Sequence, residues 1–217
     1  MAKPAIVFVC AECGAETLKW QGQCPQCGQW NTLEQRTVAR RPAGAAAPSA
    51  GPAAEPRELE TLDLPRLSSG MGELDRVLGG GLIPGSVTLL GGEPGIGKST
   101  LLLQLANHVA RSTPALYLSA EESVAQIGLR ARRLSVGGSN LRVIADTDLE
   151  GVMARARDEQ TRVLIVDSIQ TVQMAALGTA AGAITQLKEC TAQLVRFAKS
   201  TGTSVVIVGH EIGRAHV

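Results

Sequence analysis

Gly92-Glu93-Pro94-Gly95-Ile96-Gly97-Lys98-Ser99, continued by Thr100, stands between a short β-branched run at 87–90 and a stretch with helical spacing of apolar residues at 98–111. It matches G-x-x-x-x-G-K-[ST], a phosphate-binding loop, in the strand-to-helix setting that the pattern requires. Glycines at 92, 95 and 97 let successive backbone N–H groups close around a phosphate, and the helix start adds its positive end. Lys98 brings a cation to the β- and γ-phosphates of ATP, Ser99 places a hydroxyl on Mg²⁺, and Thr100 continues the first turn. Glu93, Pro94 and Ile96 complete the loop. The competing reading, a chance glycine-rich turn, leaves the joint register of strand, loop, Lys and Ser unexplained.

Downstream, strands are expected at 115–119, 141–145, 163–167 and 205–209, with helices at 122–134, 149–159 and 184–199. Alternating strands and helices, with strands apolar throughout, predict an α/β fold whose mostly parallel sheet is covered on both faces. Ligands of such sheets sit at the carboxyl ends of the strands. Val163-Leu164-Ile165-Val166-Asp167 reads as a buried strand that delivers a carboxylate toward the outer sphere of Mg²⁺. Phosphate chemistry also needs a group to orient or deprotonate the attacking water. Glu121 and Glu122 follow the 115–119 strand at the same edge, and one of them is the base candidate. The alternative is that both open the next helix as solvated carboxylates, where negative charge is favourable.

Cys10-x-x-Cys13 and, after ten intervening residues, Cys24-x-x-Cys27 present four thiolates in two tight turns. That spacing completes a tetrahedral Zn²⁺ site with no open position, so a small structural zinc ribbon is expected ahead of the α/β core. Gly14 and Gly28 follow the second ligand of each pair and ease the backbone around the metal. A module at 1–37 has too little core to fold unaided, so the metal should carry much of its stability. A redox dithiol is the other reading, and two pairs at matched spacing fit zinc better. Cys190 stands alone on a helix and reads as a small buried apolar residue.

Residues 38–56 are mostly Ala, Pro and Gly, an extended linker between the four-Cys module and an α/β core at 57–210. The chain has two Trp, two Phe and one Tyr, so aliphatic residues must supply nearly all the burial. With 21 Lys and Arg against 20 Asp and Glu, there is no overall polyelectrolyte drive toward nucleic acid, and any DNA contact must be local. Arg130, Arg132, Arg133 and Arg142 form a small basic cluster that reads either as such a contact or as a solvated face. No apolar run reaches the roughly 18 residues that a membrane span needs, and five Cys in two pairs and a stray fit a reducing cytoplasm.

CAECGAETLKWQGQCPQCGQWNTL, SSGMGELDRVLGGGLIPGSVTLLGGEPGIGKSTLLLQ, YLSAEES and VLIVDSIQT together resemble a family of bacterial DNA-repair ATPases with a RecA-like core and an amino-terminal zinc finger. The resemblance covers the chain outside the linker. It implies a DNA-stimulated ATP hydrolase that acts on single-stranded or branched DNA, alongside recombinase machinery, in branch migration and the processing of recombination intermediates. It also implies a homo-oligomeric ring in the full-length parent, and no membrane partner. By the RecA-like pattern the catalytic carboxylate is Glu121, and His210, at the end of the 205–209 strand, is the candidate γ-phosphate sensor. A nucleotide-gated regulator of the circadian-clock KaiC-like type shares the core run but lacks a four-Cys module. A generic phosphate-loop protein with an incidental ribbon is the blander reading.

The family continues into a Lys-Asn-Arg-Phe-Gly motif and a Lon-like domain, neither of which is in this sequence. Residues 211–217, EIGRAHV, are expected to be foreign, because they can be encoded by a common sequencing adapter. A chain ending there is expected to have weak or no motor activity, even if nucleotide binds. Residues 171–185, where RecA-like proteins carry a DNA-contacting loop, hold no Lys or Arg.

Overall fold

A module with little to bury needs short strands and a tight anchor, and the amino-terminal unit is built that way. β1 (Ala5–Cys10) pairs antiparallel with β2 (Glu16–Thr17) on one side and β3 (Leu33–Val38) on the other. Its core holds Cys10, Cys24 and Leu33, with Phe8, Cys13 and Ala15 half-buried against them. The computed structural model describes residues 5–38 and 65–210, in two compact units divided as Met1–Asp63 and Leu64–Val217. Of the expected linker at 38–56, Val38 is the last residue of β3; residues 39–56 and the expected foreign tail at 211–217 lie outside the described residues.

In the larger unit, α1 (Gly72–Val77) precedes β4 (Val87–Gly92), α2 (Lys98–Val109) and β5 (Ala115–Ser119). Then come α3 (Val124–Arg133), β6 (Leu141–Ala145), α4 (Leu149–Asp158), β7 (Val163–Asp167), α5 (Ile184–Thr201) and β8 (Ser204–His210). The five strands form one parallel sheet in the order β4-β8-β7-β5-β6. Every residue of β5 and β7 is buried, as expected of strands covered on both faces.

The period-two alternation of each strand divides the core. Leu116, Leu118, Leu164, Val166, Val205 and Ile207 face α4 and α5, whereas Ala115, Tyr117, Val163, Ile165, Val206 and Val208 face α2 and α3. Each layer contains a single buried aromatic, Phe197 in one and Tyr117 in the other, so the burial is aliphatic as the composition requires.

Three strands fall at the expected bounds, and the two beside the phosphate loop run further. β4 and β8 stay paired through Gly91↔Gly209 and Gly92↔His210, which carries His210 to the carboxyl edge of the sheet. The helix expected from residue 122 begins at Val124, because Ser123 caps it: the Ser123 hydroxyl accepts from Gln126 N–H and the Gln126 side chain accepts from Ser123 N–H. Glu122 therefore lies outside the helix, and its carboxylate pairs instead with Arg130.

Candidate functional site

The loop between β4 and α2 is shaped by glycine. Gly95 and Gly97 have φ of 82° and 103°, in the left-handed region, and a Cβ on either would meet no protein atom within 4 Å. Backbone conformation and open approach, rather than packing, call for glycine there. Gly97 is the N-cap of the twelve-residue α2, so the unpaired N–H groups of the first turn point into the loop. Lys98 is buried, and its Nζ donates to the carbonyls of Gly92 at 2.6 Å and Glu93 at 2.8 Å. Ser99 and Thr100 follow in the first turn, both half-buried. A cradle of N–H groups, a buried ammonium and a helix-start hydroxyl fits a Mg²⁺-bound nucleoside triphosphate.

Three strand ends face the same edge. Asp167 closes β7 and is buried, and the Tyr117 hydroxyl donates to its Oδ2 at 2.5 Å. Burial, and then the Asp167 charge, push the Tyr117 phenol upward, so it stays a neutral donor. Glu121 lies two residues past β5; its Oε1 accepts from the Ser168 hydroxyl and lies 2.9 Å from His210 Nε2. Desolvation raises Glu121, but the hydrogen bonds from Ser168 and His210 and the charges of His210 and Lys98 outweigh it and hold it below the ordinary carboxylate range. His210 Nδ1 is buried without a hydrogen-bond partner among the described residues, and the Gln170 amide donates to the His210 carbonyl at 3.3 Å. Lys98, Asp167, Glu121 and His210 are thus gathered at one edge of the sheet, while Glu122 is turned to Arg130.

Sequence reasoning missed Tyr117, Ser168 and Gln170. The register that pairs Tyr117 with Ile165 and Ser119 with Asp167 brings Tyr117 to the β7 carboxylate, and no local motif announces it. The 171–185 stretch carries a 3₁₀ turn at Ala175–Leu177 and is held by buried Gln186, whose amide nitrogen donates to the carbonyls of Met174 and Thr179 and whose oxygen accepts from Met174 N–H. Of the basic cluster, Arg130 is occupied by Glu122 and Arg142 donates to the Ser139 carbonyl at 2.8 Å, while Arg132 and Arg133 are exposed.

In the amino-terminal unit the two Cys pairs form matching knuckles. Cys10 N–H donates to Ala15 O and Gly14 N–H to Cys10 O; Cys24 N–H donates to Gln29 O and Gly28 N–H to Cys24 O. Gly14 and Gly28 have φ of 69° and 72°, which lets each turn close. The four Sγ atoms lie within 4.8 Å of one another, with Cys10–Cys27 at 3.7 Å and Cys13–Cys24 at 3.6 Å. Tetrahedral Zn–S bonds of about 2.3 Å imply edges of about 3.8 Å, so the cluster fits zinc. Desolvation raises Cys10, but Thr32 and the N–H groups of Cys13 and Glu12 bring it down to about 6. The Gln29 N–H favours the Cys27 thiolate, yet desolvation and the neighbouring thiols push Cys27 up to about 12. That mutual repulsion is what a bound dication removes.

These features define a phosphate-loop α/β protein with a four-Cys metal module, and comparison with known proteins assigns the class. The AAA domain family matches residues 53–212, and the chain belongs to it. A rubredoxin metal binding domain matches residues 8–35. The chain is similar to the DNA repair protein RadA of Pseudomonas aeruginosa, 48% identical over 216 residues, and to those of Escherichia coli K12 and Bacillus subtilis 168, at 43% and 42%. Each alignment covers 97% of this chain and 47–48% of the relative, so the chain spans about half the length of the curated relatives it matches. The resemblance to a family of bacterial DNA-repair proteins is borne out by these relatives. A crystal structure of the RadB recombinase superposes with a TM-score of 0.51 at 23% identity, over 70% of this chain and 74% of that one, and so shares the RecA-like fold. Among the described residues no helix is long and apolar enough to cross a membrane.

Proposed function

We propose that the chain is the zinc-finger and ATPase portion of a DNA-dependent ATP hydrolase that works in recombinational DNA repair, promoting branch migration and the processing of recombination intermediates. The observation that carries the reading is the convergence of Lys98, Asp167, Glu121 and His210 beside a phosphate-binding loop, in a chain that is 48% identical to a DNA repair protein. The loop from Gly92 to Thr100 binds ATP, with Lys98 on the β- and γ-phosphates and Ser99 holding Mg²⁺. When bound, Mg²⁺ draws charge from the phosphate oxygens. Asp167, oriented by Tyr117, faces that ion's outer sphere. Glu121 orients the attacking water and accepts its proton. Its lowered pKa keeps it ionised at neutral pH, and with Ser168 and His210 both on Oε1, Oε2 has no hydrogen-bond partner among the described residues. His210, at the sheet edge between β4 and the Glu121 carboxylate, senses the γ-phosphate. Zn²⁺ on Cys10, Cys13, Cys24 and Cys27 staples the small unit. Single-stranded or branched DNA, recombinase machinery and a homo-oligomeric ring are the partners this reading assigns to the full-length protein, in the cytoplasm.

The test is a pair of substitutions with separable outcomes. Lys98→Ala should lose nucleotide binding, whereas Glu121→Gln should bind nucleotide normally and lose about 10²- to 10⁴-fold in hydrolysis. Nucleotide binding that survives Lys98→Ala, or turnover that survives Glu121→Gln, would contradict the assignment.

A further inference from the structure

We propose that Ser168 is a positioning residue for the Glu121 carboxylate, holding it in place to orient and deprotonate the attacking water; the proposal rests on Glu121 being the base. Ser168 is fully buried, so its hydroxyl must find its partners inside the protein. It donates to Glu121 Oε1, and among the described residues its one other hydrogen-bonding neighbour is Thr171 Oγ1 at 3.5 Å.

The backbone around Ser168 is clamped from both neighbouring strands. The Asp167 carbonyl accepts from Ala120 N–H at 2.7 Å, and Ile169 N–H donates to the Val208 carbonyl at 3.0 Å. Thr171 Oγ1 donates to the Ser168 carbonyl at 2.9 Å and closes the turn. Ala120 immediately precedes Glu121, Asp167 immediately precedes Ser168, and Val208 lies two residues before His210 on β8. The hydroxyl is therefore held in a frame made of the same three strand ends that carry Glu121, Asp167 and His210.

A glutamate side chain on a loop has three soft torsions, and two donors converging on one oxygen remove most of that freedom. The two donors are not equivalent. His210 is partly open, at 28% side-chain exposure, whereas Ser168 is closed to solvent, so the serine contact persists while the histidine responds to what occupies the cleft.

The experiment measures kcat for ATP, nucleotide affinity and Tm in the full-length protein for Ser168→Ala, Ser168→Cys, Glu121→Gln and Ser168→Ala/Glu121→Gln. Misplacement of a reacting group by about 1 Å can cost about 100-fold, so Ser168→Ala should lower kcat by about 10- to 100-fold with nucleotide affinity within about twofold of wild type. Ser168→Cys keeps the buried volume occupied with a weak donor, so it should also lose turnover, and it reports the same quantity if the alanine variant fails to fold. In the Glu121→Gln background, Ser168→Ala should change turnover by less than about twofold, because the group it positions is already gone. An equal loss in both backgrounds would overturn the role, and so would wild-type turnover in both serine variants. If Glu121→Gln itself turned over at the wild-type rate, the base assignment would fall first and this role with it.

Discussion

Replacing Tyr117 with Phe isolates one hydrogen bond that ties the core to the site. Both partners are inaccessible, Tyr117 at 1% and Asp167 at 6% exposure, and the hydroxyl donates to Asp167 Oδ2 at 2.5 Å. The substitution keeps the ring in the same buried layer as Leu102, Leu105 and Ile127, so no cavity of consequence opens. What is lost is a hydrogen bond to a charged group, which contributes about 1.5–3 kcal/mol when buried, and the carboxylate keeps the desolvation cost without the compensating donor. For a domain of roughly this size each kcal/mol moves Tm by about 2–4 °C, so Tyr117→Phe should lower Tm by about 3–12 °C. The assay is thermal unfolding for Tm and urea unfolding for stability, both followed by far-UV circular dichroism, with m unchanged and the urea midpoint lowered. A variant as stable as wild type would mean that the Asp167 carboxylate draws its support from elsewhere, and the reasoning from this contact would fail.

Four further outcomes are expected. Gly81 has φ of +125°, and a Cβ there would stand 2.5 Å from the Leu67 carbonyl oxygen, so Gly81→Ala should destabilise by about 1–3 kcal/mol or more in the same urea assay. Chelation should unfold the amino-terminal unit, since zinc at four thiolates contributes about 10–16 kcal/mol to such modules; Cys24→Ser should bring metal content by atomic emission from one zinc per chain to none. Ser123→Ala removes the hydroxyl half of the α3 capping box, the bond accepted from Gln126 N–H, and should cost about 1 kcal/mol. Glu121 is held below the ordinary carboxylate range, so the stability of its contacts is present above the unfolded-state value near 4.3 and is lost as pH falls through the lower folded value. Carbon-detected NMR titration should therefore place its midpoint below that of an ordinary glutamate, and His210→Ala should raise it.

Much of the larger unit was legible because its strands are uninterrupted apolar runs ended by distinctive residues. Val163–Asp167 is bounded by its acid, Ala115–Ser119 by a hydroxyl and two glutamates, and both form at those bounds. The phosphate loop and the two Cys pairs were legible for a different reason, since their chemistry requires particular residues at particular spacings. What escaped depends on register between distant segments. Tyr117 and Ser168 are separated by half a hundred residues of chain from the groups they serve, and a tyrosine in an apolar strand or a serine after an acid carries no local signature. The helix starts two residues later than expected at 122: acids favour a first turn, yet the capping box at Ser123 and Gln126 competes for the same stretch and prevails. The expectation that Glu122 opens α3 gives way for that reason, and Arg130, counted among basic surface residues, is neutralised by the displaced carboxylate. In the amino-terminal unit the Cys spacing announces the metal module, while the run Ile6-Val7-Phe8-Val9 becomes a strand through its pairing with 33–38.

The most direct measurement is ATP hydrolysis by the full-length protein with and without single-stranded DNA, alongside Lys98→Ala and Glu121→Gln. Turnover should be stimulated by DNA in the wild type and abolished by both substitutions. Hydrolysis indifferent to DNA, or nucleotide binding with no turnover in the wild type, would contradict it and point to a nucleotide-gated switch on the same core.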